Sequence, residues 1–163
     1  MQQNQIKTLF DYHWLTTERL LDTASELPDE VYHASVDYGR GSIHELLFHL
    51  IAADQHWRIG LETGKQQRGA GIKDHPDREA IKSFLLQEKA AWQAYISGLR
   101  DADLSGEVTL ITLRGREHSF PLWHVLVHLV LHGMQHHSEL AQALSVHDQS
   151  PGDIDFIFYR GTA

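Results

Sequence analysis

The stretch WHVLVHLVLHGMQHH, Trp123 to His137, decides how the rest of the chain is read. His124, His128, His132 and His136 fall every fourth residue, and His137 follows directly. The residues between them are mostly aliphatic, with apolar positions recurring at helical spacing, so the segment reads as a helix from near Pro121 to about Val146. A helix advances about 100° per residue, so each step of four overshoots a turn by about 40°. The four histidines therefore fan across about 120° and cannot all point one way. With Val125 as the zero direction, Leu122, Leu129, Leu140, Ala143 and Leu144 fall between about 0° and 100°. His136 and His132 lie near about 20° and −20°, at the border of that stripe, while His128 and His124 turn away from it. The pair His132 and His136 is H-x-x-x-H, the one-turn spacing that lets two imidazoles hold one ion. Gly133 between them leaves room for another helix to approach.

Two histidines make a weak site, and catalytic zinc takes three protein ligands with an open fourth position. The third has to come from another helix. His49, in HELLFHLIAADQHW, stands about one helical step from its own apolar stripe and is the best candidate. His13 lies inside the stripe of the first helix and is its rival, or else holds a ligand in place. His44 and His49 are five apart, so HELLFH is not the H-E-x-x-H of zinc proteases. A single H-x-x-x-H is more often a pair of hydrogen-bonded core histidines or a surface feature than a metal site. For His124, His128 and His137 that plainer reading is the favoured one.

Three more segments carry helical periodicity. The first runs from about Ile6 to Glu26, with Ile6, Phe10, Trp14, Thr17, Leu21 and Ala24 on one side, and Leu27–Pro28 ends it. The second opens at Ser42, where SIHE is a capping box. Its stripe is Ile43, Leu46, Leu47, Leu50, Asp54, Trp57 and Leu61, and Gly64 stops it. The third starts near Pro76, a good first-turn residue, and carries Ile81, Phe84, Leu85, Glu88, Trp92, Tyr95 and Leu99. Before the last helix, Val108, Leu110 and Thr112 alternate and Arg114–Gly115 reads as a turn, which predicts a short β-hairpin. The tail DIDFIFYRG reads as a strand or an apolar strap. The expectation is an all-α fold: a four-helix bundle with long crossover loops, one domain over residues 1–163.

The 163 residues are enough to bury a core. With 22 acidic residues against 14 basic, the net charge of −8 argues against nucleic acid, which needs a clustered basic face. No apolar run is long enough to span a membrane, and the first 30 residues do not read as a signal peptide. There is no cysteine, so disulfides, thiolate nucleophiles and zinc–sulfur sites are excluded. The expected compartment is the cytoplasm. Histidine, at 13 residues, is the one unusual count.

At this point the chain resembles the DinB/YfiT-like family of metalloenzymes, along nearly its whole length. LFDYHWLTTERLL resembles the family's opening helix, with His13 where Asn is common. SIHELLFHLIAADQHW resembles its second helix, whose ligand histidine maps to His49. PLWHVLVHLVLHGMQHHSELAQAL resembles its last helix, whose His-Gly-x-x-His pair maps to His132 and His136. Leu131 and His137 depart from the Asn and Arg common beside that pair. DIDFIFY resembles the closing segment, through Asp155 and Tyr159. The resemblance implies an up-down-down-up bundle, a three-histidine site for zinc or nickel, and homodimers. It also implies use of a low-molecular-weight thiol such as bacillithiol, mycothiol or glutathione.

A cation held by three neutral imidazoles keeps its charge and an open position, and generates a nucleophile from water or thiol at neutral pH. The expected function is a metal-dependent enzyme acting on a small molecule. Its specific form is a thiol-dependent S-transferase acting on electrophiles in stress defence or detoxification. A metal-dependent hydrolase and a non-catalytic metal- or ligand-binding stress protein are the alternatives. His13, Asp54 and His128 are the candidates for general base or for holding a ligand. Trp57 and Tyr159 read first as packing and second as pocket walls. Val127, Val130, Leu131 and Met134 form a second apolar face on the last helix, which predicts a homodimer.

Overall fold

The computed structural model describes residues 1–36 and 41–161. Its long helices are α1 (Gln3–Ser25), α3 (Ile43–Thr63), α4 (Arg78–Ser97) and α6 (Leu122–Ser145). Two single-turn helices absent from the sequence reading, α2 (Asp29–His33) and α5 (Asp101–Leu104), fold into the connections. α3 begins at the expected capping box: the Ser42 hydroxyl accepts from the Glu45 amide at 3.1 Å, and the Glu45 carboxylate accepts from the Ser42 amide at 2.8 Å. It ends at Gly64, whose φ of +71° is the left-handed conformation that glycine adopts without strain. α4 starts slightly later than Pro76 suggested. The Asp77 carboxylate accepts from the Ala80 amide at 2.9 Å, so Asp77 is the cap and Pro76 precedes it.

The four long helices form a bundle whose directions follow from their contacts. α1 runs antiparallel to α4, with Gln3 bonded to the Ile96 carbonyl at one end and Asp22 near Lys82 at the other. α3 runs parallel to α4, with Phe48 against Phe84 and the Asp54 carbonyl accepting from the Trp92 indole. α6 runs antiparallel to α3, with His49 beside His136 and Trp57 beside His128. It runs parallel to α1, where Thr17 meets His137. The order is therefore up-down-down-up. Parallel neighbours cannot be joined by a tight turn, so the α3–α4 connection must travel the length of the bundle, and it is correspondingly long. The apolar stripes meet inside: Ile6, Trp14, Leu46, Leu50, Ile81, Trp92, Leu126, Leu140 and Leu144 are all enclosed.

The expected hairpin is present as β1 (Glu107–Ile111) paired antiparallel with β2 (Glu117–Pro121), turning at Gly115 with φ of +74°. Leu110 is buried near Gly60, and Ile111 exchanges backbone hydrogen bonds with Gly64 and Gln66, which ties the hairpin to the end of α3. The tail is a strap, with a 3₁₀ turn at Phe156–Phe158 rather than a strand. Tyr12 anchors it, donating to the Ile154 carbonyl and packing against Phe156 and Tyr159. Tyr159 thus packs edge-on against Tyr12 of α1, with ring centroids 5.8 Å apart.

The second apolar face of α6 is mostly used within the chain. Val130 is buried, Val127 packs on the core, and Met134 Sδ lies 2.8 Å from Tyr12 Oη. Leu131 alone of the four is exposed, at 64%, so the surface on which a homodimer was expected is much smaller than the helical wheel suggested. Among the described residues, no helix is long and apolar enough to cross a membrane.

Candidate metal centre

The seam between α3 and α6 brings three histidines together. His49, His132 and His136 each offer a ring nitrogen, and these nitrogens lie within 4.8 Å of one another. His132 Nε2 and His136 Nε2 are 3.2 Å apart. Two nitrogens bound to one tetrahedral ion at about 2.0–2.1 Å stand about 3.3 Å apart, so this pair already has the spacing that a shared cation needs. The His49 ring stands nearly perpendicular to that of His136, at 87° with centroids 4.8 Å apart, and 5.5 Å from that of His132. Among the described residues this is the only group of three or more histidine, cysteine or carboxylate donors arranged in this way. His136 is buried, and His49 and His132 are half-buried, so the cluster opens outward from the seam.

Hydrogen bonds fix the site's protons. His136 Nδ1 donates to Glu139 Oε2 at 2.7 Å, leaving Nε2 with a lone pair toward His132. Next door, the Thr17 hydroxyl donates to the His13 carbonyl and so accepts from His137 Nε2 at 2.8 Å. His137 is fully enclosed. Burial, then the nearness of His13 and His136, holds its pKa well below the usual histidine value.

The other candidates fall in two places. His13 Nε2 and Asp54 Oδ2 are 3.0 Å apart, with both side chains 1% exposed. Burial pushes the Asp54 carboxyl up, and its contact with His13 opposes that. The pair ties α1 to α3 inside the bundle, with both side chains enclosed. His128 is the opposite case. It is exposed, its ring 6.0 Å from that of His132 and 5.4 Å from that of Trp57, at the open side of the seam. His124 is exposed as well. Two residues escaped the sequence reading. Glu139 carried a signal, the three-residue step from His136 that puts both on one helix face. Thr17 carried none beyond its place in the α1 stripe.

The sequence model of the DinB superfamily matches residues 14–140. The chain belongs to the DinB superfamily. The matched span includes all three clustered histidines and Glu139, and begins one residue after His13. Among solved structures, this DinB-superfamily chain is similar to YfiT from Bacillus subtilis. The TM-score is 0.72 at 13% identity, over 92% of this chain and 91% of the other. YfiT is described as a probable metal-dependent hydrolase with an unusual four-helix bundle topology. At this identity the likeness speaks for the fold alone. Comparison with curated proteins finds no match.

Proposed function

We propose that this chain is a metal-dependent enzyme in which His49, His132 and His136 hold one divalent cation, zinc or nickel. The observation that carries the proposal is the meeting of three ligand nitrogens within 4.8 Å at the α3–α6 seam. The donor set fits the group: imidazole suits both metals, and three protein ligands leave a position for a reactant. When bound, such a cation polarises a substrate oxygen and lowers the pKa of water or thiol. The chain's own residues do the rest. His132 and His136, on one turn of α6, set the pair spacing, and His49 closes the set from α3. His128 and Trp57 flank the open side, where a substrate would enter and where His128 can exchange protons with solvent. His13 and Asp54, enclosed behind, brace the helices.

Hydrolysis of a small substrate is the version we favour, because the similar fold of YfiT is described as that of a probable metal-dependent hydrolase. Thiol-dependent transfer would use the same geometry, with bacillithiol, mycothiol or glutathione bringing the sulfur that a cysteine-free chain lacks. The test is metal content by mass spectrometry of the purified protein. It is followed by turnover of an ester, an amide and a phosphoester, and of thiol with a chloro-dinitro arene, for wild type and His132→Ala. One metal per chain and a turnover lost in the variant support the proposal. A protein that takes up neither zinc nor nickel overturns it. Full loading without turnover reduces it to a metal-binding protein.

A further inference from the structure

We infer that Glu139 is a positioning residue for the candidate metal centre, setting the proton and the orientation of His136. The inference rests on the metal reading above and adds a residue which that reading does not need. The geometry is specific. Glu139 Oε2 accepts from His136 Nδ1 at 2.7 Å, while Nε2 of the same ring lies 3.2 Å from His132 Nε2. The two nitrogens sit on opposite edges of the imidazole. Glu139 therefore stands behind His136 as seen from the cluster, and it is not itself among the grouped donors.

The burial asymmetry argues against an ordinary surface ion pair. The His136 side chain is 4% exposed and that of Glu139 is 26%. A carboxylate that reaches inward to an enclosed imidazole holds the ring at one χ angle and keeps Nδ1 protonated, so Nε2 is the only lone pair left. A negative charge on the far edge also makes Nε2 a stronger donor toward a cation. A carboxylate behind a ligating histidine is the general device by which outer partners tune metal affinity.

The probe is Co²⁺, titrated into the metal-free full chain against a competing chelator dye, with the visible d–d spectrum recorded alongside. Wild type, Glu139→Ala and Glu139→Gln are compared, and the melting temperature of each metal-free protein is taken as the structural control. Glu139→Ala is expected to bind cobalt about 10–100-fold more weakly and to shift the d–d band, with its metal-free melting temperature close to wild type. Glu139→Gln, whose amide oxygen can accept the same hydrogen bond, is expected to recover part of the loss. Wild-type affinity in Glu139→Ala overturns the inference and leaves the metal reading standing. So does a loss of affinity that is matched by a fall in the metal-free melting temperature in both variants. A wild-type chain that binds no cobalt sinks both.

Discussion

The His13 ring occupies the space where residue 133 would carry a side chain. A Cβ placed on Gly133 would come within 2.4 Å of His13 Cε1 and Nδ1. Gly133 lies in the turn between His132 and His136, so α1 presses directly on the backbone that carries two of the three clustered histidines. Gly133→Ala sets two effects against each other. Alanine favours the helix by about 1 kcal/mol, while overpacking costs about 1–3 kcal/mol. His13 cannot step aside cheaply, because it is enclosed and bonded to Asp54. A net loss of stability follows, read as a lower denaturation midpoint with unchanged slope. A midpoint at or above wild type would show that the ring yields freely.

The His13–Asp54 pair joins residues 41 positions apart, and both side chains are buried. Removing one partner strands the other. His13→Leu leaves the buried Asp54 carboxyl without this hydrogen-bond partner and is expected to cost about 1–3 kcal/mol. The double variant His13→Leu/Asp54→Leu removes the stranded carboxylate and is expected to be more stable than His13→Leu alone. Urea unfolding of the four proteins in the cycle gives the coupling directly. Additive losses would mean that the two residues pack independently.

How much of this was legible depended on the range of the contact. Burial along the row His136, His132, His128, His124 follows the helical wheel: His136 is 3% exposed, His132 is half-buried, and His128 and His124 are exposed. That order is a local property of one helix. The capping box at Ser42 and the hairpin turn at Gly115 are local too. His137 was harder: it sits just past the core stripe, at about 120° on the same wheel, and is enclosed only because α1 passes there with Thr17. The His13–Asp54 pair could not be read at all. Both stripes carried a polar residue, but which stripes face each other follows from the crossover order, which periodicity does not encode. Glu88 illustrates the same limit. It stood in the α4 stripe as an unexplained carboxylate, and only the structure supplies Arg58 and Gln55, at 2.8 and 3.0 Å, to satisfy it.

His44 sets a pH dependence away from the metal centre. It is 5% exposed, and burial lowers its pKa, with His33 acting the same way. Glu45, the His75 backbone and Asp77 oppose that, and the Tyr32 hydroxyl lies 3.4 Å from Nδ1. A folded value below the unfolded one means that the unfolded chain takes up this proton first. The stability this group contributes is whole above about pH 6.5 and is lost as pH falls from there through the folded value. Replacing His44 by Gln should flatten the difference in unfolding free energy between pH 7.5 and pH 5.5 relative to wild type. Equal pH slopes in the two proteins would remove His44 as a contributor.

Metal binding should also read out as stability. A ligand that binds only the folded chain stabilises it by about 2.7 kcal/mol when its free concentration is 100 times Kd. Zinc or nickel is therefore expected to raise the melting temperature of wild type. Replacing His49, His132 or His136 by Ala should each abolish the rise, because two imidazoles hold an ion far less well than three. His128→Ala and His124→Ala are the informative controls: both belong to the same four-residue row and both are exposed. They should keep the full rise if the ion sits at the α3–α6 seam. If instead the rise survives in His49→Ala but disappears in His128→Ala, the ion rides the outer row of α6, and the third ligand does not come from across the bundle.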